Sequence, residues 1–349
     1  MLASDASADG TYTFNTEAFF PRKLYALITE TRVARPEAIL EEARVRARRP
    51  HLTVDGKLTI LAADHPARLV LGSGGVPLAM ADRFQYLGRV LRVAISPEFD
   101  GVMGTPDIIE DLLIVNRLCK EAGGQGFLDG KILIGCMNRG GLAGASFELD
   151  DRFTAYTAES IHRLRLDGAK LMFRLDLTSA DAGSTVAECA LAINDLNAFE
   201  IPIFLEALMV RQEGGKYHIL KEADSLARAV SVASALGDSS RNLWLKIPYC
   251  ERYEIVAGAT TLPILMLGGE SRGDPTGMLQ EFVAGMAVGR NIRGALVGRN
   301  ITFPGSEDPL AVALAVNSIV HRGSSVEEAT DTLRATRGQA MDFFAHCAE

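Results

Sequence analysis

Lys246 is the one charged residue in an otherwise apolar, strand-like run, LWLKIPYC (Leu243–Cys250). Burying an ammonium is costly unless it is paired or gives up its proton. One placement puts the run on a sheet edge with the amine in water. Another points Lys246 into a site, where a neutral amine in a dry pocket attacks carbonyl carbon and forms a Schiff base. Trp244, Leu245 and Ile247 provide apolar surroundings, and Lys170 or Arg174 would provide a nearby cation; both favour the neutral amine. A purely structural lysine, paired with Glu206 or Asp64, is the plain alternative.

Other residues share this character. Lys170, Met172, Arg174 and Asp176 alternate, so a regular strand sets all four on one face, as an ion-pair layer or as part of a site. Glu206 follows Ile203-Phe204-Leu205. A carboxyl group in that context is expected to hold its proton more tightly, which suits acid–base duty, unless it simply neutralises Lys246 or Lys170. Gly268-Gly269 with Ser271, and Gly298-Arg299, combine glycines that let backbone N–H groups approach an anion with a guanidinium able to grip it. These spacings suit a phosphorylated substrate.

The elements that must position these groups are short β-rich runs separated by helical segments. The runs are Leu58–Asp64, Asp100–Thr105, Lys131–Met137, Ala169–Asp176, Ile201–Leu208, Leu243–Tyr249, Leu262–Gly269 and Gly294–Asn300. Helices are expected over Pro106–Glu121, Thr185–Phe199, Lys221–Leu236, Thr276–Gly289, Pro309–His321 and Val326–Phe344. Eight strands alternating with helices over roughly 290 residues fit a (β/α)8 TIM barrel, in which chemistry sits at the C-terminal ends of the strands. Strand one ends in AADHPAR where a doubly wound sheet would show a glycine-rich fingerprint. The polar strand ends form a ring: Asp64 and His65, Thr105, Asn138 and Arg139, Arg174 and Asp176, Glu206, Lys246, Gly268-Gly269, and Gly298-Arg299. Residues 1–57 are expected to form a helical extension, frayed over Met1–Gly10, and residues 58–349 the barrel with its C-terminal helices.

Composition narrows the class. The 349 residues are 48% hydrophobic and 23% charged, as in ordinary soluble proteins. A net charge of −8 argues against a nucleic-acid surface. The arginine cluster RVRARR (Arg44–Arg49) reads as a solvated helix face. The five cysteines are scattered without a CxxC pair, and the six histidines show neither HxH nor HExxH spacing. Reduced thiols, no metal and no cofactor are expected. No apolar run approaches the ~20 residues that span a bilayer, so a cytoplasmic protein with no membrane partner is expected, self-associating as barrels of this kind do.

Taken together, these residues resemble the class I (Schiff-base) aldolase superfamily that includes deoxyribose-phosphate aldolase and tagatose-bisphosphate aldolase. LWLKIPY is similar to the context of the superfamily's strand-six lysine, and Asp64-His65-Pro66 to its strand-one aspartate motif. KLMFRLD, Pro202-Ile203-Phe204-Leu205-Glu206 and Gly298-Arg299-Asn300 with Phe303 resemble strands four, five and eight of the tagatose-bisphosphate branch. The resemblance spans Leu58 to Pro304. It departs at Arg174, where relatives often carry an aromatic residue, and at Pro248-Tyr249-Cys250. It implies a metal-independent lyase in which Lys246 forms the Schiff base, Glu206 and Asp64 move protons and Lys170 assists. Arg174, His65, Gly268, Gly269, Ser271, Gly298 and Arg299 would hold the phosphorylated substrate. A further resemblance, to barrels of inositol catabolism, implies cleavage of 6-phospho-5-dehydro-2-deoxy-gluconate into dihydroxyacetone phosphate and malonate semialdehyde. Acyl transfer on the same barrel, a phosphosugar-binding barrel without chemistry, and a metal-dependent aldolase remain open alternatives.

Overall fold

The first strand, β1 (Leu58–Ala63), is buried at every position. A run apolar on both faces is what a parallel strand covered by helices requires. Seven more barrel strands follow: β2 (Gly101–Gly104), β3 (Ile132–Cys136), β4 (Gly168–Leu175), β5 (Ile203–Glu213), β7 (Leu243–Pro248), β8 (Ile264–Leu267) and β9 (Ile292–Val297). They pair in parallel in chain order, β9 closes on β1, and β4 pairs with β5, giving a closed (β/α)8 barrel. The fold is described for residues 12–138, 141–179 and 182–348 of a computed structural model. Met1–Gly10 and Arg139 lie outside the described residues. No helix among the described residues is long and apolar enough to cross a membrane.

The helices follow local rules. Pro106 opens α5 (Pro106–Glu121) at its first turn, where a missing N–H costs nothing, and Ile108, Ile109, Leu112 and Leu113 form its inner face. Several features depart from the sequence reading, among them the last expected helix, which ends at Thr336 and not at Phe344. A helix, α4 (Arg83–Ala94), capped by the Asp82 side chain, follows the β1 loop. The fifth strand also runs past Leu208 and turns back at Gly214-Gly215, both at positive φ, into a short antiparallel strand, β6 (Lys216–Ile219). A two-glycine turn between strand-forming residues is a standard hairpin signal, so this element was readable. The lysine-bearing sixth barrel strand is therefore β7.

Before the barrel come α1 (Thr16–Phe19), α2 (Arg22–Ala34) and α3 (Ala38–Val45). Phe14, Phe19 and Phe20 share one apolar core with the barrel, and the Phe19 and Phe344 rings meet edge-on at 5.1 Å. The arginine cluster corrects its expected solvated role. The helix ends at Val45, and Arg46 is buried with hydrogen bonds to Asp167 Oδ2 (2.9 Å) and to the Lys131 (2.8 Å) and Arg165 (2.9 Å) carbonyls. Arg48 reaches the other Asp167 oxygen and Arg49 reaches Asp100. Asp100 and Asp167 precede β2 and β4, so the arginines bolt the extension to the N-terminal face of the barrel, the face associated with stability. Their partners lie far along the chain, beyond the reach of helical periodicity.

Candidate active site

Register sets the central pair. Lys246 on β7 lies directly opposite Glu206 on β5, and its Nζ is 2.8 Å from Glu206 Oε2. Lys170, on the neighbouring strand β4, donates to Asp64 Oδ2 at 2.9 Å and lies 3.0 Å from the same Glu206 oxygen. Asp64 follows the last residue of β1. Four strands thus bring two ammonium and two carboxylate groups into one chain, none more than 6% exposed. Beneath them Met103, Cys136, Phe204 and Leu265 fill the barrel, so the groups stand on a dry apolar floor.

The electrostatics revise one expectation. Burial alone would raise Glu206, as its apolar neighbours suggested, but the charges of Lys170 and then Lys246 outweigh burial and hold its carboxyl at about 2. Burial also opposes ionisation of Asp64, and Lys170 again prevails, holding it well below the usual carboxylate range. Lys170 in turn is raised above an ordinary lysine, because Asp64 and Glu206 outweigh its own burial. A fixed ion pair on either side makes Lys170 a poor proton donor and a strong permanent charge. Lys246 has a single carboxylate contact and lies nearer the strand ends.

The rim is built by the loops after β1, β8 and β9. Gly269 adopts a left-handed φ of +67°, and a side chain there would meet only Lys221 Nζ, at 3.9 Å. Gly298 ends β9 against His65: a Cβ at Gly298 would stand 2.3 Å from His65 Cε1. Burial lowers His65 to about 3, so its imidazole is neutral around pH 7. Arg299 is mostly buried, its Nε donates to nothing among the described residues, and its nearest carboxylate, Glu270, is 3.9 Å away. Asn300 ties the two loops by donating to the Gly268 carbonyl.

Three expected site residues are occupied elsewhere. Arg174 is buried and ion-paired with Asp151 (2.6 Å) and Glu148 (3.4 Å), so it anchors the loop after β3 and offers no free grip to a phosphate. Ser271 turns inward, donating to the Phe303 carbonyl at 2.6 Å, and staples the β8 and β9 loops. Asp176 lies past the end of β4 and accepts from Thr178 in a turn. Both of the first two groups are polar and buried, so each must be satisfied by the nearest partner. Conversely, Arg68, in the turn Pro66–Arg68, was not singled out, yet it lies within electrostatic reach of Asp64, His65, Lys170 and Glu206. Its signal was its place in DHPAR, one turn beyond the strand-one aspartate.

Residues 56–320 match the Cgl0159-like family. The chain belongs to that family. The solved structure of Cgl0159 from Corynebacterium glutamicum (Brevibacterium flavum) is 37% identical, with a TM-score of 0.80 over 87% of this chain and 98% of that one. A Schiff base forming fructose-1,6-bisphosphate aldolase is 22% identical, with a TM-score of 0.55 over 81% of this chain and all (100%) of that one. The fructose-bisphosphate aldolase from Slackia heliotrinireducens DSM 20476 is 14% identical, with a TM-score of 0.58 over 93% and 97%. At those identities the aldolases share the barrel; the deoxyribose-phosphate and tagatose-bisphosphate enzymes of the sequence resemblance are not among these neighbours. No curated protein matches the chain.

Proposed function

We propose that this member of the Cgl0159-like family is a metal-independent class I aldolase that makes or breaks a C–C bond in a phosphorylated keto sugar or sugar acid. The observation that carries the reading is the buried Lys246–Glu206–Lys170–Asp64 chain at the catalytic ends of the strands. A lysine held only for structure needs one carboxylate; here two lysines and two carboxylates converge where a barrel does chemistry.

The roles follow from geometry. Lys246 transfers its proton to Glu206, 2.8 Å away, and the free amine attacks the substrate ketone. Glu206 is acidic because two ammonium charges face it; when Lys246 gives up its proton, one of those charges vanishes and the carboxyl holds the proton more readily. Glu206 then protonates the carbinolamine hydroxyl, water leaves, and the iminium forms. A base, Asp64 or Glu206, takes the proton of the hydroxyl β to the iminium carbon. The C–C bond breaks, an aldehyde leaves, and its electron pair is stored as the enamine. Protonation of the enamine and hydrolysis return the amine. Lys170 keeps its charge throughout and offers it to a substrate oxygen.

Within this class, the resemblance to inositol-catabolism barrels favours 6-phospho-5-dehydro-2-deoxy-gluconate, whose cleavage leaves dihydroxyacetone phosphate on the lysine. Intact mass after borohydride treatment with dihydroxyacetone phosphate, followed by peptide mapping, tests the reading. A stable adduct on Lys246 that is missing in Lys246→Met is expected. If no phosphorylated keto sugar leaves an adduct at that position, the mechanism is wrong.

A further inference from the structure

Arg68 and Arg299 carry charge that the catalytic chain does not need. Asp64 and Glu206 balance Lys170 and Lys246, leaving the two guanidiniums as surplus. Arg68 comes from the turn after β1 and Arg299 follows β9, and those strands are hydrogen-bonded neighbours. Both side chains therefore rise from one sector of the rim, close enough for the charge of Arg68 to oppose that of Arg299. Neither is neutralised. Among the described residues no carboxylate lies within ion-pair distance of Arg68, and the Glu270 side chain near Arg299 is 75% exposed. Each arginine has a buried Nε with no hydrogen-bond partner among the described residues. Two like charges on one sector of the rim, both partly buried and each with a buried Nε donor unused, are unfavourable until an anion joins them.

We propose that Arg68 and Arg299 form a two-guanidinium clamp that closes on the phosphate of the substrate from the β1 and β9 sides. This rests on the phosphorylated substrate proposed above and adds Arg68 as its specificity residue. Two surplus positive charges match a phosphate dianion, and guanidinium forks suit its oxygens. A hydroxyl in that place leaves both arginines unpaired, and a carboxylate leaves one. The clamp therefore selects phosphorylated over free keto sugars. His65 lies against Gly298 between the two strand ends and, being neutral, adds no third charge.

Calorimetric titration of the full chain with inorganic phosphate tests the clamp without requiring catalysis. Arg68→Gln and Arg299→Gln should each weaken phosphate binding roughly 10- to 100-fold, as expected for loss of charged hydrogen bonds. The double variant should lose less than the product of the two, since both contacts serve one anion. In borohydride trapping at Lys246, the preference for dihydroxyacetone phosphate over dihydroxyacetone should collapse in Arg68→Gln. Phosphate affinity within twofold of the parent protein in Arg68→Gln, with the trapping preference retained, overturns the clamp and leaves the Schiff-base reading standing. Weakened phosphate binding in a chain whose Lys246 never traps would keep the clamp and remove the aldolase reading. Should Arg68→Gln fail to fold by circular dichroism, Arg68→Lys gives the same readout: charge kept, fork lost, affinity lowered several-fold.

Discussion

Lys170 Nζ stands 3.0 Å from Glu206 Oε2, the same oxygen that lies 2.8 Å from Lys246 Nζ. In the proposed mechanism, one carboxylate oxygen thus serves a lysine that keeps its proton and a lysine that gives its proton up. The arrangement makes Glu206 the coupling point between fixed charge and chemistry.

Lys170→Met should abolish turnover and also destabilise the fold, because it leaves Asp64 and Glu206 buried with one ammonium between them. Removing one member of a buried ion pair costs about 3–5 kcal/mol. Denaturant unfolding together with a steady-state assay checks both; a variant as stable as the parent protein would mean the pairing contributes little.

Acid should destabilise this site earlier than its carboxylates titrate. Glu206 and Asp64 ionise lower in the folded chain than in the unfolded one, so the unfolded chain takes up protons first. Their stabilisation is complete above the ordinary carboxylate range near pH 4–5 and is lost as pH falls toward 2. His65, lowered to about 3, works in the same direction from about pH 6.5 downward, since the unfolded imidazole binds its proton first. Thermal melts between pH 7 and pH 3 should show a falling midpoint, with a shallower fall below pH 6.5 in His65→Gln.

Gly298→Ala inserts a methyl group 2.3 Å from the His65 ring carbon and 2.9 Å from the Ala62 carbonyl. Ring and rim must shift, and with them Arg299 next in the chain. KM for a phosphorylated substrate should rise by about tenfold or more while Tm falls by a few degrees, overpacking costing about 1–3 kcal/mol. Kinetics and a melt of the same preparation decide it; an unchanged KM would place the phosphate away from this strand end.

Arg46→Met should act on stability alone. It leaves Asp167 with the half-exposed Arg48 as its one remaining ion-pair partner among the described residues, besides the Leu133 N–H, and strands the Lys131 and Arg165 carbonyls at the face opposite the site. A loss of about 3–5 kcal/mol is expected, with kcat unchanged in whatever fraction remains folded. A drop in kcat per folded molecule would show that the two faces communicate.

The sequence alone determined the barrel and pointed to the charged groups at its strand ends. Apolar runs of strand length, separated by helical periodicity, leave few folds that bury both faces of every strand. Charges stranded at the ends of LTILAAD, KLMFRLD, IPIFLEAL and LWLKIPY are visible because nothing in those runs would otherwise tolerate them. Tertiary structure decided what each charge does. Glu206 looked like a carboxyl that burial would raise, yet Lys170 and Lys246 converge on it and hold it at about 2. Arg174, open in sequence between an ion pair and a grip on substrate, is held by Glu148 and Asp151, while Arg68 went unnoticed and reaches the site without an ion-pair partner among the described residues. Local sequence reports burial and period, which act over a few residues. The electrostatic state of a group depends on charges brought within a few ångströms by strands tens of residues apart, and only barrel closure sets those distances.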